Sequence, residues 1–174
     1  MADEPISFPP RLMGVIGRTI LGVCIVLVSG LLVYLLVEFW PTAEPGASGK
    51  VTVAMFGTTM TLAAEVRLIL LVAVTAALGS NIHTARFFAY YAGERRLYTS
   101  FVWWYIPQLF IGASIALIFY FAIRGGLLSA GATIGELNIF GIAAIAGLVG
   151  LFSYQATEKL RELFDTLFKT EKPH

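Results

Sequence analysis

Four stretches of this chain, at about 15–39, 65–91, 101–123 and 137–154, are apolar enough to cross a bilayer, which takes roughly 20 such residues per helix. Inside lipid every backbone N–H and C=O must be bonded within the protein, so runs of this length are helices. The expected fold is therefore an all-α integral membrane four-helix bundle. Little of the 174-residue chain remains for anything else. Composition agrees: 57% of residues are hydrophobic, 13% are charged and the mean hydropathy is +0.79, whereas a soluble domain carries about a quarter charged residues. Trp40, Tyr91, Trp103, Trp104, Tyr105 and Tyr154 stand near the ends of the runs, as the aromatic belt of a membrane protein does.

Orientation follows from Lys and Arg. With the N-terminus inside, Arg11, Arg18, Arg86, Arg95, Arg96, Lys159, Arg161, Lys169 and Lys172 fall on the inner side, and only Lys50, Arg67 and Arg124 on the outer. The positive-inside rule thus predicts a multi-pass protein of the cell (inner) membrane with both termini cytoplasmic. The acidic start, Met1-Ala2-Asp3-Glu4-Pro5, and the lack of a small-x-small site close after the first run predict a retained signal-anchor. A net charge of +1 argues against a nucleic-acid partner, which would call for a basic patch. Cys24 is the single cysteine, so neither an internal disulfide nor a cysteine-based zinc site can form.

The first outer loop, about 42–62, opens with the linker-like Glu44-Pro45-Gly46-Ala47-Ser48-Gly49. Val51-Thr52-Val53-Ala54-Met55-Phe56 is rich in β-formers, Gly57-Thr58 can turn and 59–62 can return, which predicts a short outer β-hairpin. The rival is a re-entrant loop, tolerated only against protein or water. Gly93-Glu94-Arg95-Arg96 is a tight inner turn, so spans two and three form an antiparallel hairpin. Past span four, Phe152, Ala156, Leu160, Leu163, Phe164, Leu167 and Phe168 recur at i+3 and i+4, with Glu158, Lys159, Arg161, Glu162, Asp165 and Lys169 on the other face. The expectation is that the last helix continues beyond the fourth span as a cytoplasmic extension: a four-span domain over 1–155, then an amphipathic helix and tail over 156–174. Such a helix lies on the leaflet or packs on protein. Its balanced charge favours a protein partner. The spans do not divide into similar halves, which argues against an inverted-repeat transporter.

Gly79-Ser80-Asn81-Ile82-His83-Thr84-Ala85-Arg86 interrupts the second run with polar and ionisable groups, which lipid penalises by kilocalories. His83 falls about 10 residues, or ~15 Å, from the inner end. Ser80, Asn81, His83 and Arg86, with Gln108 across the hairpin, are candidates for a polar pathway or protonation switch. The competing reading is a set of interhelical hydrogen bonds that fixes the bundle, at about 0.6–2 kcal/mol each. Pro107 beside Gln108 predicts a kink, as packing or as a gating hinge. Glu65 and Glu136, at outer ends, could form a cation-attracting ring in an oligomer, or simply be surface charges. Gly112 with Ala116, Ala143 with Gly147, and Ala146 with Gly150 place small residues four apart, the pattern of close helix approach. Together with Leu160, Phe164 and Leu167 they are candidate contacts of a homo-oligomer.

No catalytic motif occurs: Gly-x-Ser-x-Gly, His-Glu-x-x-His and the P-loop are all absent. No His, Cys or carboxylate lies within a turn of His83, so neither a metal nor another cofactor is expected. The motifs Leu78-Gly79-Ser80-x-x-His83, Trp103-Trp104-Tyr105, Tyr120 through Arg124-Gly125-Gly126, and Gly150-Leu151-Phe152-Ser153 with Lys159-Leu160-Arg161 resemble those of small bacterial four-span membrane proteins of no assigned activity. The resemblance covers most of the chain and implies the fold, with no activity or site. The leading functional expectation is a homo-oligomeric channel or passive pore for ions. The second is a non-catalytic membrane scaffold or partner subunit that docks through its C-terminal helix.

Overall fold

The computed structural model describes residues 12–41, 50–55, 57–125 and 138–167, with backbone alone for 54–55, 163–164 and 166–167. The described order is α1 (Val15–Phe39), β1 (Lys50–Met55), β2 (Thr58–Ala63), α2 (Ala64–Gly93), α3 (Phe101–Arg124), α4 (Ile139–Leu151) and α5 (Ser153–Leu167). At 1.5 Å per residue α1, α2 and α3 run about 36–45 Å, more than the ~30 Å hydrocarbon core. These three helices are each long and apolar enough to cross a membrane; α4 and α5 qualify only as a bent pair.

α2 is the central post, in contact with α1, α3 and α4. Leu71, Val72, Val74, Ala76, Gly79, Ser80, Asn81 and Thr84 are all buried along it. α1 is apolar all round and buries only Phe39, as befits a helix whose other faces meet lipid. Two packed clusters result. Val72, Ala76, Ala116, Tyr120, Ala146 and Val149 join α2, α3 and α4. Phe39, Val53, Leu71 and Val74 join α1, the first strand and α2.

The hairpin forms as the β-rich segment predicts. β1 and β2 pair antiparallel from Lys50↔Ala63 to Met55↔Thr58. Gly57 occupies the turn at φ +81°, where a side chain would be strained. β2 runs directly into α2, so Val53 packs over the Phe39 end of α1. At the opposite end the α2–α3 turn is closed from below: the Met13 N–H donates to the Leu97 carbonyl at 2.8 Å, and Leu12 bridges Tyr98. Leu97 is buried there. α3 runs unbroken through Pro107.

The last span departs from expectation. Instead of continuing as one helix, the chain breaks at Phe152 (φ −115°, ψ 41°), and α5 leaves α4 at 104°. The break falls between Gly150 and Ser153, a Gly/Ser neighbourhood of the kind where sharp bends occur. α4 has 13 residues, about 20 Å, too short to span alone.

Candidate functional site

The polar stretch of α2 divides into an inside and an outside. Ser80 is fully buried, and Asn81 and Thr84 nearly so, because α2 is covered by other helices on three sides. His83 and Arg86 project from the uncovered side and are exposed. His83 sits beside Trp104, ring centroids 6.2 Å apart, in an aromatic group with Phe87, Tyr91, Phe101 and Tyr105 at the α2–α3 turn. Ser80 and Asn81 are thus turned inward, and His83 and Arg86 outward.

The buried half ties the helices together. The Ser80 hydroxyl donates to the Gly150 carbonyl at 2.9 Å, linking α2 to α4. The Asn81 amide donates to the Ser29 hydroxyl at 2.6 Å, linking α2 to α1, and Ser29 donates onward to the Ile25 carbonyl. Gln108, also buried, reaches the Ser153 hydroxyl at 3.5 Å, a long contact between α3 and the start of α5. Thr84 Oγ1 and Tyr105 OH are buried with no hydrogen-bond partner among the described residues.

Glycine makes this closeness achievable. A Cβ on Gly79 would collide with the Gly147 carbonyl, one on Gly150 with the Ala76 carbonyl, and one on Gly112 with the Ser80 hydroxyl. Backbone thus lies on backbone where α2 crosses α4, and Gly112 makes the room that Ser80 occupies. The small residues read from sequence as contacts between copies are spent here inside the chain. Gly112, Ala116, Ala143, Ala146 and Gly150 are buried, and Gly147 faces Thr75. Leu160 is half-buried, while the side chains of Phe164 and Leu167 lie outside the described residues.

Where α2 begins and α3 ends, Glu65 pairs with Arg124 at 2.6 Å, and Arg124 also donates to the Tyr120 hydroxyl at 2.7 Å. Its partner in the expected ring, Glu136, lies outside the described residues. Between α2, α3 and α4, under Arg124, is an apolar cleft of about 270 Å³ lined by Leu68, Val72, Ala116, Tyr120, Ile142 and Val149. Sequence reasoning missed the role of Arg67. It is 6% exposed, and its guanidinium donates to the Phe39 carbonyl at 3.1 Å and to the Trp40 carbonyl. It thereby satisfies carbonyls that the end of α1 leaves open and sets a cation at the negative end of the helix dipole. The readable signal was an α1 terminus lacking glycine, followed by an arginine at the start of the next apolar run. Ser29 was missed too, for want of anything in its own run to mark it.

Among the described residues no group of three or more His, Cys, Asp or Glu is placed to hold a metal ion. Ser80, Asn81, Gln108 and Arg67 are buried polar side chains bonded to backbone or to other side chains, an arrangement that fixes helix positions. No known family model, curated protein or solved structure matches this chain, so the resemblance to small four-span proteins stands on the quoted motifs alone.

Proposed function

We propose that this chain is a non-catalytic membrane scaffold or partner subunit of the inner membrane, with both termini cytoplasmic, rather than a pore-forming subunit. One observation carries the reading: the inward polar side chains at the middle of α2 are bonded inside the bundle, Ser80 on Gly150 and Asn81 on Ser29. A hydrated axis between copies needs polar side chains aligned on an outward face. Away from the span ends, the exposed polar residues among those described are Thr19 on α1, His83 and Arg86 on α2, and Ser114 on α3, only a few side chains scattered over three helices. The outward surface is otherwise aliphatic, with Ile16, Ile20, Val23, Val26 and Leu27 of α1 among its exposed residues. The orientation rests on nine inner Lys and Arg against three outer. It puts the exposed charged face of α5 (Glu158, Lys159, Arg161, Glu162) on the cytoplasmic side, where a soluble partner would meet it.

The test is reconstitution of the full chain into liposomes with potassium, sodium, proton and chloride flux assays, alongside photo-crosslinking in cells from positions 158 and 161. Flux equal to that of protein-free vesicles, with a discrete adduct of one mass from α5, is expected. Ion flux that scales with protein and falls on Asn81→Ala or His83→Ala would overturn the proposal in favour of a channel. Crosslinks to lipid alone from α5 would remove the partner.

A further inference from the structure

The bend at Phe152 gives the amphipathic pattern of α5 a direction. α4 is apolar on every face and packs within the bundle, through Ala143, Ala146, Val149 and Gly150. With α4 along the bundle axis, a 104° turn lays α5 close to the membrane plane. Helical periodicity puts Ala156, Leu160, Leu163, Phe164 and Leu167 within an arc of about 100°, and Glu158, Lys159, Arg161, Glu162 and Asp165 opposite.

The sense of that arc is set by its first residue. Ala156 is 9% exposed and belongs to the cluster holding Ala116, Ala146 and Val149, so the apolar face looks back toward the bundle and hence into the slab the bundle crosses. Leu160, one turn on, is half-buried, while Glu158, Lys159, Arg161, Glu162 and Asp165 are exposed. The level is set by Gln108, which meets Ser153 at the start of α5. Gln108 lies four residues, about 6 Å, membrane-ward of Trp104, and exposed Trp103 and Trp104 mark the headgroup region. That depth matches the 5–10 Å at which interfacial helices bury their apolar face.

We infer that α5 is an interfacial helix: its 156–167 stripe rests in the acyl chains of the bilayer that holds the bundle, and its charged face meets water. The occupant of the stripe is lipid and not a second protein, because the stripe shares the depth and facing of the bundle's lipid-exposed surface. The attachment is hydrophobic rather than electrostatic. α5 carries Lys159 and Arg161 against Glu158, Glu162 and Asp165, and Lys159 is already paired with Glu162 at 2.6 Å. Anionic headgroups therefore find no excess positive charge on it. The inference is independent of the scaffold reading, since it rests on the bend between α4 and α5 and on where α3 meets them.

Full-length protein carrying Cys24→Ser and one of Leu160→Cys, Leu163→Cys, Glu158→Cys or Arg161→Cys, labelled with an environment-sensitive fluorophore in liposomes, tests it. Labels at 160 and 163 are expected to be quenched severalfold more by shallow nitroxide lipids than by aqueous iodide, and labels at 158 and 161 the reverse. The pattern is expected to be the same in zwitterionic and anionic vesicles. Leu160→Glu in the Leu163→Cys background should move the 163 label toward iodide access without altering the bundle's thermal stability. Iodide access at every position would mean that α5 projects into water. Shielding of 160 and 163 from both quenchers would mean a protein cover, and a pattern seen only with anionic lipid would mean electrostatic binding. Any of these three overturns the inference.

Discussion

Gly112→Ala should destabilise the bundle, and Ser80→Ala should rescue part of the loss. In the native chain the Ser80 hydroxyl sits where an alanine methyl at 112 would go, with the Ser80 Cβ 3.0 Å and the Gly150 Cα 3.4 Å from that point. The methyl therefore forces the hydroxyl out of its place, and its bond to the Gly150 carbonyl goes with it. Overpacking typically costs about 1–3 kcal/mol, and a lost interhelical hydrogen bond about 0.6–2 kcal/mol. Alanine returns roughly 0.8–1 kcal/mol of helix preference over glycine. The net expectation for Gly112→Ala is a loss of about 1–3 kcal/mol. Ser80→Ala alone loses the hydrogen bond, about 0.6–2 kcal/mol, and exposes the Gly150 carbonyl. In the double variant the obstructing oxygen is gone and the remaining neighbours give by a few tenths of an ångström, so the two losses overlap. The coupling should be about 1–2 kcal/mol in the rescuing direction. Reversible unfolding of the full chain in mixed micelles, titrated with SDS and followed by the fluorescence of Trp103 and Trp104 on α3, measures all three. Additivity within about 0.5 kcal/mol, or a double variant worse than the sum, would show that Ser80 and Gly112 do not share this space and refute the packing argument.

Three further outcomes are expected in the same assay. Gly150→Ala drives a methyl into the Ala76 backbone, which unlike a side chain cannot swing away, and should lose more than about 3 kcal/mol or prevent folding; wild-type stability would mean α2 and α4 are further apart. Arg67→Ala orphans the Phe39 and Trp40 carbonyls and should cost about 1–3 kcal/mol, with Arg67→Lys recovering less than half because a point donor does not span both; equal stability of the two variants would remove the two-carbonyl role. Thr84→Val and Tyr105→Phe delete buried hydroxyls that bond nothing among the described residues, and each should be neutral or stabilising within about 1 kcal/mol; a larger loss would reveal a partner for that hydroxyl.

What was legible in the sequence was whatever a one-dimensional pattern records. The apolar runs gave α1, α2 and α3 nearly to their ends, and β-forming residues around Gly57 gave the hairpin. The bend at Phe152 was hidden because buried Ala143, Ala146, Val149 or Gly150, half-buried Ser153 and buried Ala156 keep one helical phase through it. Periodicity sees the phase and not the axis. The polar stretch misled in a different way. Residue type makes His83 the conspicuous member, yet rotation of α2 turns Ser80 and Asn81 inward, and which side of a helix is covered depends on three other helices. Spacing of glycine and alanine likewise declared that backbones would touch, without saying whether the other backbone belonged to the same chain.

The way α1 is held has a consequence for how the protein is made. α1 buries one side chain of its own, and its polar ties include Met13 on Leu97 just before one end, Ser29 under Asn81 in the middle, and the carbonyls of Phe39 and Trp40 under Arg67 at the other. Each of those partners is synthesised after α1. If the helices span a membrane, α1 enters it before these partners are made, and Arg67 follows with the Phe39 and Trp40 carbonyls that accept its hydrogen bonds already synthesised. Reversing that order, as a circular permutation beginning at α2 would, asks Arg67 to enter lipid before any carbonyl is there to receive it. In a membrane, chain order would thus ease the burial of that arginine.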